Sequence, residues 1–229
     1  MFSKLRLTSS IRYRSVAILF LILLLSHATR ADEIAVWNFN DSDLLVDHGN
    51  GTLATNFNLT NVIFTLGGTT TNARLGDPAG QSMTLQGGTS NSNNGRFINL
   101  AVSTLGYANI IISLASQATG TGFNNNQLQY STDGVNFVNF GGPYAPPTAF
   151  GLFTFDLSAI TALNDNPNAA FRIVFNGATS STGNNRIDNI VVDGQSVGLP
   201  EPSSIFLLGL GMTGAAGYAR KRRRRLKGK

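Results

Sequence analysis

The chain contains no cysteine, which excludes a disulfide scaffold and any thiol-based chemistry. It has only two histidines; His27 lies in the N-terminal segment, so His48 is the one histidine in the rest of the chain. This scarcity argues against a Cys-His catalytic pair and against a zinc site built from several histidines. Charged residues make up 13% of the chain, and residues 32–199 contain no lysine. A length of 229 residues suffices for one domain with a sizeable core.

The formal net charge of +5 is distributed unevenly along the chain. Residues 1–31 carry five lysines or arginines, and residues 220–229 carry eight. Residues 32–199 hold four arginines against eleven acids, which gives this portion a formal charge of −7. The sequence therefore predicts an acidic domain between two basic ends.

The N-terminal segment has the three parts of a secretory signal peptide. Residues 1–14 are basic and contain no acid, residues 16–25 form an unbroken apolar run of ten, and small residues follow up to Ala31. We therefore predict a signal peptide over residues 1–31. A permanent anchor is the weaker alternative, because a membrane-spanning helix needs about 20 apolar residues. Since Arg12 and Arg14 are not adjacent, the sequence favours the Sec export machinery over the twin-arginine route.

The C-terminal segment combines a short motif, an apolar span and a basic block. Pro200, Glu201 and Pro202 precede residues 203–219, which are seventeen residues without a charge. As a helix this span is about 25 Å long, the lower limit for crossing a bilayer. Positive residues that follow a span stay in the cytoplasm, so a single transmembrane helix would place residues 32–199 outside. The membrane-stop cluster consists of Arg220, Lys221, Arg222, Arg223, Arg224 and Arg225.

These three elements, in this order, resemble the PEP-CTERM protein-sorting signal of Gram-negative bacteria. Pro200, Glu201 and Pro202 match its motif, and Leu199 stands where the family often has valine. The resemblance covers residues 199–229. It implies recognition by an exosortase, a membrane transpeptidase that cuts near the motif, and delivery to the cell surface or an extracellular polysaccharide matrix. One alternative is a single-pass anchor that is never cleaved. A nucleic-acid patch is disfavoured, because it needs no apolar span before it.

The middle of the chain shows short runs with period-two alternation or with β-branched and aromatic residues. Ten such runs and almost no helix signal predict an all-β fold, an antiparallel β-sandwich, over residues 32–198. Asp133-Gly134 predicts a tight hairpin turn, and the mixed faces of its second strand suggest an inner strand. Ser158 would cap one helical turn at residues 157–163. The predicted strands are 34–39, 62–66, 82–86, 96–102, 108–114, 127–131, 135–140, 152–157, 171–175 and 187–192.

Residues 96–194 also resemble, more loosely, the jelly-roll β-sandwiches of bacterial surface proteins and carbohydrate-binding modules. The resemblance rests on residues 129–134, on Phe171-Arg172-Ile173 and on residues 186–192. In such modules a structural calcium often joins the first strand to the last, which makes Asp41 and Asp188 the candidate metal ligands here. The alternative is that both are ordinary turn or surface acids. The sequence indicates no other cofactor.

Sugar sites usually stack exposed aromatic rings on the pyranose faces. Tyr107, Tyr130 and Tyr144 are the candidate ligand-binding residues for this reason, and Tyr144 lies in a loop rich in glycine and proline. Trp37 alternates with Val36 and Asn38, which predicts a core position for the single tryptophan. These assignments make glycan binding a hypothesis based on composition.

We expect no enzyme activity. No serine has a nucleophile-elbow sequence around it, and His48 lies in a turn of glycine and asparagine residues. Eleven acids permit a pair of catalytic carboxylates but do not indicate one. A secreted glycan-active hydrolase that uses two aspartates is the alternative.

The sequence as a whole predicts an exported protein with a structural, adhesive or glycan-binding β-sandwich. Its expected partners are the Sec machinery, an exosortase, the membrane through the C-terminal helix, and extracellular polysaccharide. No nucleic-acid partner is expected. The protein would pass through a single-pass inner-membrane intermediate and then reach the cell surface or the extracellular matrix.

Overall fold

The computed structural model describes residues 31–197. The bulk of the predicted signal peptide, the motif at 200–202, the span at 203–219 and the basic cluster at 220–225 lie outside the described residues. Apart from three short 3₁₀ turns (Leu59–Asn61, Thr89–Asn91 and Thr161–Leu163), the regular structure within 31–197 is β-strand. In this part of the chain no helix is long and apolar enough to span a membrane.

Twelve strands form two antiparallel sheets, which confirms the predicted fold class. The strands are β1 (Ala31–Trp37), β2 (His48–Gly49), β3 (Thr52–Thr55), β4 (Val62–Leu66), β5 (Gln81–Gln86), β6 (Arg96–Ala101), β7 (Tyr107–Ala118), β8 (Asn125–Ser131), β9 (Val138–Asn139), β10 (Gly151–Asp156), β11 (Ala170–Asn176) and β12 (Asn184–Ser196).

The first sheet has seven strands and is organised around β12. One side of β12 pairs with β7, and β10 pairs with the far side of β7. The other side of β12 pairs with β5 over residues 184–187 and with β1 over residues 190–195. β4 and β2 complete the sheet at the outer sides of β5 and β1. The second sheet has five strands in the order β3-β6-β11-β8-β9.

Alternation along the strands places apolar side chains between the two sheets. In β11, Phe171, Ile173 and Phe175 are fully buried, whereas Arg172 and Val174 between them point to the opposite face and are half-buried. One hydrophobic cluster contains buried residues of both sheets, among them Trp37 of the first sheet. Each fully buried large apolar side chain stabilises the fold by about 1.5–3 kcal/mol. The expected core position of Trp37 is therefore confirmed.

An aromatic cluster fills one part of this core. Phe57, Phe123 and Phe175 meet edge to face, with ring centroids 5.6–5.8 Å apart. Such pairs add about 0.5–1.5 kcal/mol beyond the area they bury. The cluster joins the five-stranded sheet to the loop segments before β4 and before β8.

A bulge divides β12 at the point where its partner changes from β5 to β1. The pairing register with β7 shifts between Asp188 and Val191, and Asn189 has a φ of 48°. Its side-chain amide donates to the backbone oxygens of Thr69 and Thr71, at 2.7 and 3.0 Å. The loop between β4 and β5 is thereby held against the bulge, next to Asp188.

Two local expectations from the sequence are wrong. The second strand of the predicted hairpin is only two residues long, β9, and it forms an edge of its sheet rather than an inner strand. Ser158 does not cap the helical turn, because the 3₁₀ turn begins later, after Ile160, and Ser158 instead donates its backbone N–H to Asp156. The hairpin pairing itself is confirmed, since Gln129 pairs with Asn139.

Candidate ligand-binding face

The outer face of the five-stranded sheet carries a line of polar side chains that the strand register places side by side. Arg172 of β11 lies opposite Asn99 of β6 on one side and opposite Gln129 of β8 on the other. Gln129 in turn lies opposite Asn139 of β9, and its side-chain amide donates to the Asn139 side chain at 2.9 Å. We call Asn99, Arg172, Gln129 and Asn139 the polar row.

Arg172 is clamped between two aromatic rings on this face. Its Cζ lies 3.9 Å from the ring centroid of Phe97 and 3.6 Å from that of Phe137. Contacts of this kind are worth about 0.5–2 kcal/mol each, more where water is excluded. Burial lowers the pKa of Arg172 from its ordinary value, although a guanidinium remains charged in proteins. The clamp therefore presents a fixed positive charge at the centre of the polar row.

Several hydrogen-bonding atoms of the polar row have no partner. Within residues 31–197, Arg172 makes no hydrogen bond or ion pair, and its Nε is buried. The Oδ1 atom of Asn99 is also buried without a partner in the described part of the chain. A buried unpaired polar atom costs about 1–3 kcal/mol. The polar row therefore has hydrogen-bonding capacity that no other group among residues 31–197 uses.

The hairpin between β8 and β9 brings Phe137 to the clamp. Asp133 accepts hydrogen bonds from the backbone N–H groups of Val135 and Asn136 at 2.9 and 2.8 Å, and from the Ser131 hydroxyl at 2.8 Å. These bonds, together with one from the Asn136 side chain, lower the pKa of Asp133 well below its usual range. The turn is thus tied to the carboxylate, and the chain leaves it with Phe137 on the outer face.

The two sheets differ in charge. No strand of the five-stranded sheet contains an acid, although two of its strands contain Arg96 and Arg172. Arg186 lies in β12 of the seven-stranded sheet, and Arg74 lies in the loop between β4 and β5. Arg74 pairs with two acids of the seven-stranded sheet, Glu33 at 3.4 Å and Asp193 at 2.9 Å. The acids in strands of the seven-stranded sheet are Asp32, Glu33, Asp156, Asp188 and Asp193.

A groove of about 660 Å³ lies on the seven-stranded sheet. Gln86, Gln117 and Thr148 contribute to its lining, together with Arg186. The Arg186 guanidinium donates to Ser82 Oγ at 3.0 Å and to the backbone oxygen of Leu66 at 2.6 Å, so it is committed to holding β4, β5 and β12 together. The groove offers amide groups but no uncommitted charge, which makes it the second choice for a ligand.

The structure shows the surroundings of the two predicted calcium ligands. Asp188 is buried, and its two oxygens accept the backbone N–H groups of Thr69 at 2.7 Å and Asn189 at 2.9 Å. Asp41 is exposed, and no hydrogen bond or ion pair links it to Asp188 in the described residues. No group of three acids or histidines that could hold a metal occurs in that part of the chain.

Other oxygen atoms converge beside Asp188. A side chain at Gly68 would overlap Asp188 Oδ2 and the backbone oxygens of Ala79 and Gln81, so these three oxygens surround one point. Asn40, the neighbour of Asp41, accepts the Gln81 backbone N–H at 2.8 Å. Carboxylate and carbonyl oxygens are the ligands that calcium prefers. The donor set around Asp188 thus fits calcium in kind, with backbone oxygens contributing beside the carboxylate.

The three candidate tyrosines are all half-buried and pack against the core. The ring of Tyr144 lies 4.6 Å from that of Phe153, and its hydroxyl is buried without a partner in the described residues. This burial raises the Tyr144 pKa above its ordinary value. Tyr130 contacts Phe140 edge to face at 6.5 Å. A ligand-binding role for Tyr107, Tyr130 and Tyr144 stays a prediction.

His48 lies in β2, and its Nε2 is 3.3 Å from Asp77 Oδ2. Asp77 also accepts the side-chain amide of Asn38 at 3.0 Å. No hydroxyl side chain bonds to His48 among residues 31–197, so the arrangement there is a polar contact between β2, the residue that follows β1 and the loop before β5. It does not assemble a nucleophile with a base.

The sequence reasoning missed Arg172, Phe97 and Phe137 as site residues. Phe97 and Arg172 lie in strands that the alternation pattern had located, at positions of outward parity. The absence of acids from strands β6, β8 and β11 was also visible in the sequence. A comparison of charge strand by strand could therefore have identified this face.

The comparison with family models identifies the C-terminal segment. The model for the PEP-CTERM protein-sorting motif matches residues 199–224. The chain therefore contains a PEP-CTERM sorting domain there, which implies an exported protein recognised by an exosortase. This confirms the resemblance drawn from Pro200, Glu201 and Pro202. No curated protein matches the chain.

Several solved β-sandwich domains are similar to the described fold. One is the xylan-binding domain CBM22-1 of Xyn10C from Paenibacillus barcinonensis, with 11% identity, a TM-score of 0.46, and coverage of 75% of this chain and 99% of that one. Another is the K3 cleaved adhesin domain of Lys-gingipain from Porphyromonas gingivalis, with 10% identity, a TM-score of 0.45, and coverage of 72% and 99%. A third is CBM29_1 from Piromyces equi, with 11% identity, a TM-score of 0.42, and coverage of 73% and 92%.

Proposed function

We propose that this protein is a non-enzymatic, glycan-binding component of the cell surface or extracellular matrix. The observation that carries the binding function is the polar row, in which Asn99, Arg172, Gln129 and Asn139 lie side by side on an open sheet face next to Phe97 and Phe137. Amide groups donate and accept hydrogen bonds and the guanidinium donates them, which is what sugar hydroxyls require. Aromatic rings add apolar surface against which pyranose faces stack.

The same face supports binding without hydrolysis. Cleavage of a glycosidic bond requires two carboxyl groups on opposite sides of the bond. The strands of the five-stranded sheet contain no acid, and the nearest acid of its hairpin, Asp133, is committed to four hydrogen bonds within the turn. A ligand on the polar row would therefore be held rather than cut.

The route to the surface follows from the two ends. The signal peptide at 1–31 directs Sec export, and the span at 203–219 holds the chain in the inner membrane with the cluster at 220–225 in the cytoplasm. An exosortase then acts near Pro200-Glu201-Pro202 and releases the β-sandwich to the surface or to the polysaccharide matrix. The sorting motif at 199–224 supports this step.

Binding and its location can be tested together with two matched substitutions. The full-length chain, purified in a non-ionic detergent, is tested by affinity electrophoresis against a panel of neutral and acidic polysaccharides. Gln129→Ala alters the polar row, and Gln117→Ala makes the same change in the groove of the other sheet. Gln129→Ala loses one or two hydrogen bonds to the ligand and should therefore bind about three- to tenfold more weakly. The affinity of Gln117→Ala should be unchanged.

Two results would contradict the proposal. A panel on which no polysaccharide retards the protein would remove the glycan-binding function. Retardation that Gln117→Ala abolishes and Gln129→Ala leaves intact would move the site to the groove on the seven-stranded sheet. Thermal unfolding of both variants serves as the folding control.

A further inference from the structure

The charge of Arg172 has no counter-ion in the described part of the molecule. Arg74 pairs with Glu33 and Asp193, and Arg96 and Arg186 donate to backbone oxygens, so Arg172 is the one arginine of residues 31–197 without a polar partner. This portion of the chain contains eleven acids, yet none of them reaches Arg172. A fixed cation that stays unpaired in an acidic domain indicates an external anionic partner.

The clamp leaves only one part of the guanidinium available. Phe97 and Phe137 cover its two faces at 3.9 and 3.6 Å, and Nε is buried. Because the side chain is only half-buried, the terminal nitrogens form the end that faces away from the sheet. Their N–H groups lie in the plane of the guanidinium, in the fork that matches two oxygens of one acid group.

The surroundings favour an anion on this face. The cross-strand neighbours of Arg172 are the neutral amides Asn99 and Gln129, and the strands of this sheet carry no acid. The acids of the other sheet lie on the far side of the core. An approaching acid group would therefore meet one fixed positive charge and neutral hydrogen-bonding groups along the row, while the one acid of the adjoining hairpin, Asp133, is engaged by four hydrogen bonds within its own turn.

We propose that the glycan bound by the polar row is an acidic one, and that Arg172 binds the carboxylate of a uronic acid residue. This inference rests on the proposed glycan-binding function and names its ligand class. A planar carboxylate can place both of its oxygens in the plane of the guanidinium, whereas a tetrahedral sulfate ester cannot place all of its oxygens in that plane. Asn99, Gln129 and Asn139 then contact the hydroxyl groups of the neighbouring sugars.

The test compares two forms of one polymer. The full-length chain in non-ionic detergent is titrated with polygalacturonate and with its fully methyl-esterified form, which has the same backbone without the negative charges. Esterification should weaken binding about tenfold or more, since charge-assisted pairs are the strong ones. Dextran sulfate is the third probe, and it should bind more weakly than polygalacturonate at equal charge.

Three variants assign the effect to Arg172. Arg172→Gln should reduce the affinity for polygalacturonate about tenfold or more, and it should reduce the affinity for the ester by only about threefold, because only the polymer with free carboxylates loses a charge-assisted pair. Arg96→Gln is the control, because it removes the same charge from the same sheet at an exposed position, and it should change binding less than about twofold. Arg172→Lys keeps the charge but loses the planar fork, so its affinity should stay close to that of Arg172→Gln.

The outcomes separate this inference from the proposed function. Equal binding of both polymers, with no effect of Arg172→Gln, would overturn the uronate assignment while glycan binding stands. An equal loss of affinity for polygalacturonate in Arg172→Gln and Arg96→Gln would mean that the polymer binds through unspecific charge attraction. Tighter binding of dextran sulfate than of polygalacturonate would mean the same, and either result would overturn the assignment. Failure to bind either polymer or any neutral polysaccharide of the panel would overturn both.

Discussion

Asp188 shows how a single buried carboxyl group determines the properties of its surroundings. It lies at the bulge of β12, where the loop between β4 and β5 is held against the strand. Both of its oxygens accept backbone N–H groups, which favours the charged form, but burial opposes that form and is the larger effect. The result is a pKa raised to about 7.

This raised pKa predicts a dependence of stability on pH. From its ordinary value of 3.8 up to about 7, the folded protein keeps a proton on Asp188 that the unfolded chain has released. The free energy of unfolding should therefore decrease as the pH rises through this window, and the loss is complete above it. Asp188→Asn should remove this slope, a difference of up to about 4 kcal/mol between its ends. Urea unfolding at pH ~4 and pH ~8, in calcium-free buffer, measures it.

The same measurement tests calcium. A bound calcium ion keeps Asp188 ionised, so calcium should raise the stability of the wild type at pH ~8 and abolish the slope, with no effect on Asp188→Asn. Asp41→Asn is the companion variant, because it shows whether that exposed acid is also a ligand. If calcium leaves the pH dependence of wild-type stability unchanged, Asp188 does not bind calcium and serves as a structural group that stays protonated up to pH ~7.

Gly68 is required for steric reasons. A Cβ at this position would overlap the backbone oxygens of Ala79 and Gln81 as well as Asp188 Oδ2. Because two of these atoms are backbone oxygens, one at the far end of the same loop and one at the start of β5, they cannot move aside easily. Gly68→Ala should lower the free energy of unfolding by about 1–3 kcal/mol. Gly120→Ala is the matched control, since a Cβ there meets no atom within 4 Å and its stability should not fall.

Among the elements, the hairpin of β8 and β9 controls the binding face. Asp133 organises the turn, and the turn places Phe137 over Arg172. The sequence Asp133-Gly134 predicts the turn because Gly134 adopts a φ of +76° without strain. The same two residues do not predict the clamp. The clamp forms because the pairing register of β6 and β11 brings their outward side chains Phe97 and Arg172 next to Phe137.

Asp133→Ala is therefore expected to loosen this hairpin without unfolding the sandwich. Its hydrogen bonds lower the Asp133 pKa, so the stabilisation is present above the ordinary value of 3.8 and is lost as the pH falls toward the lower folded value. Hydrogen exchange at the backbone amides of β9 should accelerate in the variant at pH ~7, while exchange in β11 stays slow. Equal protection of β9 in both proteins would mean that strand pairing alone holds the hairpin.

The limits of sequence reasoning are clearest at the level of elements. The prediction for 62–66 matches β4 in full, because its apolar and β-branched residues give a clear pattern. β7 and β12 extend well beyond the predictions, since the polar residues Ser116, Gln117 and Asn184 interrupt the apolar pattern of the sequence, although Ser116 is buried in the structure. β2 and β3 were missed because they are two and four residues long. The alternation of apolar and polar residues within one segment identifies the side chains that pack inward, but it does not show which strands pair with each other.

The same limit applies to the candidate site. The sequence motif at 200–202 could be identified because sorting signals are read as short linear segments. The polar row could not, because Asn99, Gln129 and Arg172 come from three strands that are joined only by long-range pairing. Tyrosines were chosen by residue type, whereas the fold uses Phe97 and Phe137 on the open face and packs Tyr144 against Phe153.

At the scale of the whole molecule, the β-sandwich and the two ends of the chain carry opposite charge. The complete chain is basic, with a pI near 9.9, whereas residues 32–199 carry a formal charge of −7. Removal of both ends should therefore convert a basic precursor into an acidic mature protein. Net charge far from zero keeps a secreted domain soluble and apart from its copies.

This change of charge makes the sorting step directly measurable. In the native host, isoelectric focusing of surface and matrix fractions should give an acidic species, and intact-mass analysis should find that it lacks residues 1–31 and the segment beyond the motif. Glu201→Ala should block the second cut, because the motif is then incomplete, and leave a basic species in the membrane fraction. Asp43→Ala removes the same charge from a half-buried turn residue of the β-sandwich and should be processed normally. A basic, full-length C-terminus in the wild-type membrane fraction, unaffected by Glu201→Ala, would instead mean a permanent single-pass anchor.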